Sequence, residues 1–287
     1  MYLVSLSRLL PLLLALLLPL QARAAALVTI VDGAASAIDG SRALVVAEGL
    51  KLGNDTIVRT TAATTLVRLE WPDGTVADLG PDTQAMVNPG GLVRGGSAPA
   101  LYLLRGWAKL ASLGSAGHPG LVAPRVDVQA FKGALVVMAG ADETWVFAEA
   151  GGAPLLERDL RPASSLALKN GEVYVRLAAA KGSVAPRPTP AQMQRVPRGF
   201  RDALPLRTAA FKDKAVTAKP AAAPTYADLR DWLAGETALR RPFPRRFAAL
   251  ARDGAFRAGL VEHLARHPEW EPLLFPERFT KPAAAPR

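Results

Sequence analysis

Residues Leu52–Val87 read LGNDTIVRTTAATTLVRLEWPDGTVADLGPDTQAMV. Two alternating apolar runs flank a Pro72-Asp73-Gly74 turn, and polar Thr and Asp residues recur at the bends. Val67, Leu69 and Trp71 fall on one face of the first run, with Arg68 and Glu70 on the other. Val76 and Leu79 resume the apolar positions after the turn. A period of two around a turn tripeptide predicts an antiparallel hairpin, half buried and half facing water.

The same punctuation extends in both directions. Leu27–Val31, Ala43–Val46 and Thr56–Thr60 precede or join the hairpin as short apolar runs, and Gln84–Val87 closes it. Leu101–Leu104 and Trp107–Leu113 lie either side of Arg105-Gly106, and Val126–Phe131, Leu135–Met138, Thr144–Ala148, Ser165–Leu168 and Val173–Leu177 follow. Strands this short and evenly spaced predict a mainly β fold over 25–180, as a sandwich, barrel or compact solenoid. Asn170-Gly171 is a further tight-turn signal.

The flanks differ in kind. Residues 1–24 carry Arg8, the apolar run Leu9–Leu20 and Ala22-Arg23-Ala24, the pattern of a secretory signal with a small-residue cleavage site. That run is shorter than the roughly 20 apolar residues a span requires. The expected destination is the periplasm, with no integral membrane span after cleavage. Residues 181–224 hold seven prolines with nine basic and two acidic residues, the composition of a basic extended linker. Within it, 195–207 has enough Phe and Leu to dock as a strap. Thr225 and Asp228 then form a T-x-x-D capping box ahead of Leu229, Trp232 and Leu233. Further helices are expected at Arg245–Arg252 and from an Asp253 cap toward Pro268, with Phe256, Leu260, Val261 and Leu264 inward. A small helical bundle over 225–279 and a disordered tail at 280–287 complete the expected plan.

Composition narrows the chemistry. Half of the 287 residues are hydrophobic, enough for a real core, and aromatics are only 6%. The absence of cysteine excludes disulfides, thiolate metal sites and a cysteine nucleophile. The net charge of +10 falls entirely after residue 180, which points to an anionic glycan, lipid head groups or an acidic envelope protein rather than nucleic acid. His263 and His267, spaced i, i+4, lack a third ligand and the H-E-x-x-H order. His118 sits in a glycine-rich loop near Ser115 without a G-x-S-x-G elbow, and reads as solvated. Gly90–Gly96 lacks the Lys-Ser/Thr ending of a phosphate loop and reads as a hairpin loop. Asp55, Asp73, Asp78 and Asp82 could surround Ca²⁺, but Asp at bends ordinarily bonds the backbone two residues on. No catalytic, cofactor or metal residue is assigned, and a non-enzyme is expected.

Spaced motifs recur along the β-rich stretch: Val31-Asp32-Gly33, Gly53-Asn54-Asp55, Ile57–Thr60, Asp73-Gly74-Thr75, Leu79-Gly80-Pro81-Asp82-Thr83 and Leu104-Arg105-Gly106-Trp107-Ala108. In this order they resemble the FecR domain family of periplasmic modules. Gly53, Asp55, Asp73, Gly74 and Gly80 are the family-motif turn residues, with an architectural role. The resemblance implies a free-standing exported member without the anti-sigma and transmembrane segments. The implied function is a binding or scaffold module for an envelope protein or glycan. The alternative is an envelope sensor acting through a partner receptor, and a cell-wall hydrolase is the remote third. Arg195, Arg198, Phe200, Arg201 and Arg207 of the strap are the expected partner contacts, and no oligomeric state follows.

Overall fold

The computed structural model describes residues 26–93, 98–160, 164–178, 180–212, 214 and 216–279. The expected signal at 1–24 and tail at 280–287 lie outside them. Strands β1 (Ala26–Asp32), β2 (Ala35–Asp39), β3 (Arg42–Val45), β4 (Lys51–Leu52), β5 (Ile57–Thr60), β6 (Leu66–Glu70), β7 (Thr75–Leu79) and β8 (Gln84–Val87) lead to a long β9 (Leu101–Ser112). Then come β10 (Leu121–Val122), β11 (Val126–Val128), β12 (Lys132–Ala139), β13 (Glu143–Glu157), β14 (Ser165–Leu168), β15 (Val173–Leu177), β16 (Ser183–Ala185) and β17 (Lys219–Pro220). Helices are α1 (Pro190–Arg195), α2 (Tyr226–Leu233), α3 (Thr237–Arg240), α4 (Phe243–Arg246), α5 (Gly254–Glu262) and α6 (Glu271–Leu274).

The pairings trace two sheets. The first runs β4-β1-β6-β7-β9-β12-β13-β15-β16, antiparallel throughout. The second runs β17-β3-β2-β5-β8-β9-β10-β11-β13-β14, with β9 and β10 parallel. Strands β9 and β13 belong to both. Leu101–Arg105 pairs with β8 in the second sheet, and Gly106–Ala111 pairs with β12 in the first.

The transfer occurs at Gly106, where φ is +95° and an added Cβ would lie 2.4 Å from Thr83 Oγ1. Only glycine fits there. The two runs expected either side of Arg105-Gly106 are therefore one kinked strand. The run expected at Thr144–Ala148 is likewise one part of the 15-residue β13, which changes sheets near Gly151-Gly152.

Alternation along the strands builds a layered body. Leu101 and Leu103 point into the core between the sheets, with Val67, Leu69 and Leu79 from one sheet and Val58, Ala85 and Val87 from the other. Tyr102 points the opposite way, joining Ile38, Ile57 and Met86 on the outer face of the second sheet. Leu229, Trp232, Phe243, Phe247, Phe256 and Trp270 cover that face. The helical end thus shares a core with the β sandwich, and its small size needs no independent stability.

The Thr225–Asp228 capping box forms, and Leu229, Trp232 and Leu233 are buried. The helix expected at Arg245–Arg252 instead divides. α4 starts at Phe243-Pro244 and stops at Phe247, whose ring packs 5.1 Å from Phe243, and a 3-10 turn takes Leu250–Arg252. Asp253 caps α5 through Phe256 N–H as expected, but the helix ends at Glu262 and leaves Val261 exposed.

Candidate interaction surface

The outer face of the first sheet is also covered, by a segment far away in sequence. Residues 196–211, within the stretch expected to be a linker, lie across β6, β7 and β9. Val196 and Phe200 sink among Leu66, Val136, Met138, Trp145 and Val173. Gly80 makes room for them and for Trp107: an added Cβ would stand 2.9 Å from Trp107 Cβ, 3.0 Å from Pro197 Cγ and 3.2 Å from Phe200 Cζ. The role of Gly80 is close approach to Trp107 and the strap rather than turn geometry.

Beside this apolar anchor the strap meets charge. The Arg68 guanidinium forms a bidentate pair with Asp78, at 2.7 and 2.8 Å, and both side chains are 4% exposed. Its remaining nitrogen donates to the Leu204 and Pro205 carbonyls at 3.0 and 3.3 Å. The buried Glu70 carboxylate accepts from the Arg207 N–H, the Thr208 N–H and hydroxyl, and the Thr29 hydroxyl. Lys109 Nζ donates to the Phe200 carbonyl at 2.6 Å and pairs with Glu149 at 2.7 Å. Burial foremost pushes the Asp78 carboxyl above the ordinary carboxylate range, opposed by Arg68 and Lys109. Most of these contacts read main-chain groups of the strap, so they hold its path without fixing most of its side chains.

The hairpin expected to be half buried is thus buried on both faces. Asp78 sits mid-strand in an ion pair rather than at a bend. Asp73 does what turn chemistry predicts, its carboxylate accepting from Thr75 N–H at 2.9 Å beside Gly74 at φ +84°. Asp55 adopts φ +62° and accepts from Gly90 N–H at 2.7 Å. Gly53 opens the same bend, and open space surrounds the position its Cβ would take.

The five strap residues expected to meet a partner divide sharply. Phe200 is 1% exposed; it anchors the strap internally and also lines the cleft beside Arg201. Arg207 donates to the Thr29 carbonyl and approaches Glu48 at 3.5 Å. Arg195 pairs with Glu143 at 2.7 Å. Arg198 and Arg201 are exposed. Arg201 edges a cleft of about 410 Å³ lined by Val136, Phe147, Met193, Val196 and Phe200, with Glu149 at its side. Arg68, Glu70 and Lys109 carry no motif; their signal is a charged row at alternate positions of neighbouring strands.

The histidines occupy structural positions. His118, expected to be solvated, is buried, stacks on Phe131 at 5.0 Å and accepts from Gly120 N–H. His267 is buried, its Nε2 3.2 Å from the Tyr226 hydroxyl. Burial lowers its pKa below the ordinary histidine value, with Glu269 opposing and Arg240 and His263 adding to the shift. A folded-state pKa below the unfolded one means that the unfolded chain takes the proton first. Stability from this site is therefore complete above about pH 6.5 and declines as pH falls below that toward the folded value. The thermal midpoint is expected to follow that profile, and His267→Gln to flatten its acid limb; an unchanged acid limb in the variant refutes the assignment.

Among the described residues no group of three His, Cys, Asp or Glu side chains could hold a metal ion, and no helix is long and apolar enough to cross a membrane. No protein-family profile matches the sequence, and no curated protein matches it. Two crystal structures of a candidate anti-sigma factor from Parabacteroides distasonis, at 2.50 and 1.65 Å resolution, are similar at 16% identity. Their TM-scores are 0.38 and 0.37, over 46% of this chain and 59% of theirs. The match spans less than two thirds of those chains, and the family expected from the turn motifs stands as a resemblance.

Proposed function

We propose that this chain is a non-catalytic, exported binding module of the cell envelope that holds an acidic segment of a partner protein against its strap. The observation that carries this reading is the pair Arg198 and Arg201, exposed on a strap whose main chain is fixed by buried Arg68, Glu70 and Lys109. A strap whose main chain is already held spares a partner the ordering of that backbone. The apolar cleft beside Arg201 gives an aliphatic or aromatic side chain of the same segment a place to bury. The apolar N-terminal run Leu9–Leu20 supports export.

The test is crosslinking of the full chain to envelope proteins, followed by affinity measurement with the recovered partner. Arg198→Glu with Arg201→Glu is expected to weaken binding roughly tenfold or more, equivalent to about 1.4 kcal/mol. Salt should weaken the wild type more than the variant. Equal affinity of the two proteins for the same partner refutes the proposal.

A further inference from the structure

On another part of the surface, two clefts adjoin. One, of about 490 Å³, is lined by Gly49, Leu50, Lys51, Lys212, Lys214 and Val216. The other, of about 320 Å³, is lined by Leu27, Pro72, Ala209 and Phe211, with Lys51 and Lys212 again in its wall. Three lysines line the first cleft, and the second is mostly hydrocarbon. Glu48, which adjoins Gly49 in sequence, already faces Arg207. Asp213 lies between two of the lysines in sequence and is outside the described residues. Phe211 is buried, with Arg207 and Lys214 within cation–π range of its ring, at 5.9 and 5.4 Å.

We propose that this paired cleft binds a single amphiphilic anion, with a phosphate-type head among Lys51, Lys212 and Lys214 and an alkyl tail on Leu27, Pro72 and Phe211. The chemistry follows from the juxtaposition. A cationic pocket alone would accept any small anion, and an apolar pocket alone any hydrocarbon. The two share walls, so a ligand carrying both properties on neighbouring atoms engages both. Each volume is of the size that small-molecule sites have. Lysines suit the head, because compact ammonium groups on flexible stems adapt to a phosphate as point charges. This site is independent of the partner-binding reading of the strap arginines.

Calorimetric titration of the full chain with monomeric dihexanoyl phosphatidylglycerol, below its micellar concentration, tests the idea. Parallel titrations use dihexanoyl phosphatidylcholine, glycerol phosphate and inorganic phosphate. Saturable binding of the anionic amphiphile is expected, at least tenfold tighter than of either phosphate lacking tails and of the zwitterionic lipid. Lys51→Glu, Lys212→Glu and Lys214→Glu together should reduce it tenfold or more, with an unchanged circular dichroism spectrum. Arg198→Glu with Arg201→Glu should leave it intact. Equal binding of inorganic phosphate, equal binding of the zwitterionic lipid, or retention of binding in the triple-lysine variant overturns the proposal.

Discussion

Asp78→Ala is expected to lower the unfolding free energy by about 3–5 kcal/mol, because it strands the Arg68 guanidinium in a dry site. Arg68 is 4% exposed, and apart from Asp78 its hydrogen bonds go to the strap carbonyls of Leu204 and Pro205. Two neutral acceptors do not replace a bidentate carboxylate. Removing both charges is a different experiment. Arg68→Met with Asp78→Leu should recover most of the loss, since a well-packed apolar pair avoids the cost of burying two ions. The double variant still lacks the donor to Leu204 and Pro205, so its strap should be cut by trypsin more readily than the wild-type strap. Denaturant melts measure the first effect and limited proteolysis the second. A cost below about 1 kcal/mol for Asp78→Ala would mean that water reaches Arg68 and that the pair is a surface one.

Phe200→Ala carries the second large expected effect. Replacing a fully buried phenylalanine by alanine costs about 3–5 kcal/mol where the site cannot collapse. Phe200 sits among rigid sheet residues, including Val136 and Trp145, so collapse is restricted. The strap has another recourse, which is to leave. The measured cost is then capped by the docking free energy of the strap, and the signature becomes local. Trypsin should cut at Arg198, Arg201 or Arg207 while Trp145 stays protected within the sheet. Phe200→Leu should retain most of the docking, because the side chain stays large and apolar. Wild-type resistance to cleavage in Phe200→Ala would show that Lys109, Arg68 and Glu70 hold the strap without its anchor.

The sandwich was legible in the sequence wherever a strand wrote its own alternation. β6 and β7 announced themselves through Val67, Leu69 and Val76 around Pro72-Asp73-Gly74, and Thr225 with Asp228 announced α2. Three kinds of feature left no local trace. The two-residue strands β4, β10 and β17 are too short to show a period. Gly106 reads as a break in the sequence, yet in three dimensions it is the bend that lets one strand serve two sheets. The third is the place where the strap docks: Phe200 and Leu204 marked a segment able to dock, but not the sheet face it covers. Arg68 and Glu70 look like solvent-facing positions in a hairpin and Asp78 like a bend residue, because the cover over them arrives more than 120 residues later. For the same reason Phe200 looked like a partner contact before its pocket in the sheet was visible.

That late arrival bears on how the chain acquires its shape. The strap and the helical end follow β1–β16 in the chain, so during synthesis the two outer faces of the sandwich wait uncovered for different periods and with different hazards. The face holding Arg68, Glu70, Asp78 and Lys109 stays wettable there until the strap closes over it, while Val136 and Trp145 wait beside it. The opposite face presents Ile38, Ile57, Met86 and Tyr102 and must wait for Leu229, Trp232 and Phe243. A chain interrupted between 211 and 225 would therefore be sticky on the helix side, and its self-association would begin there.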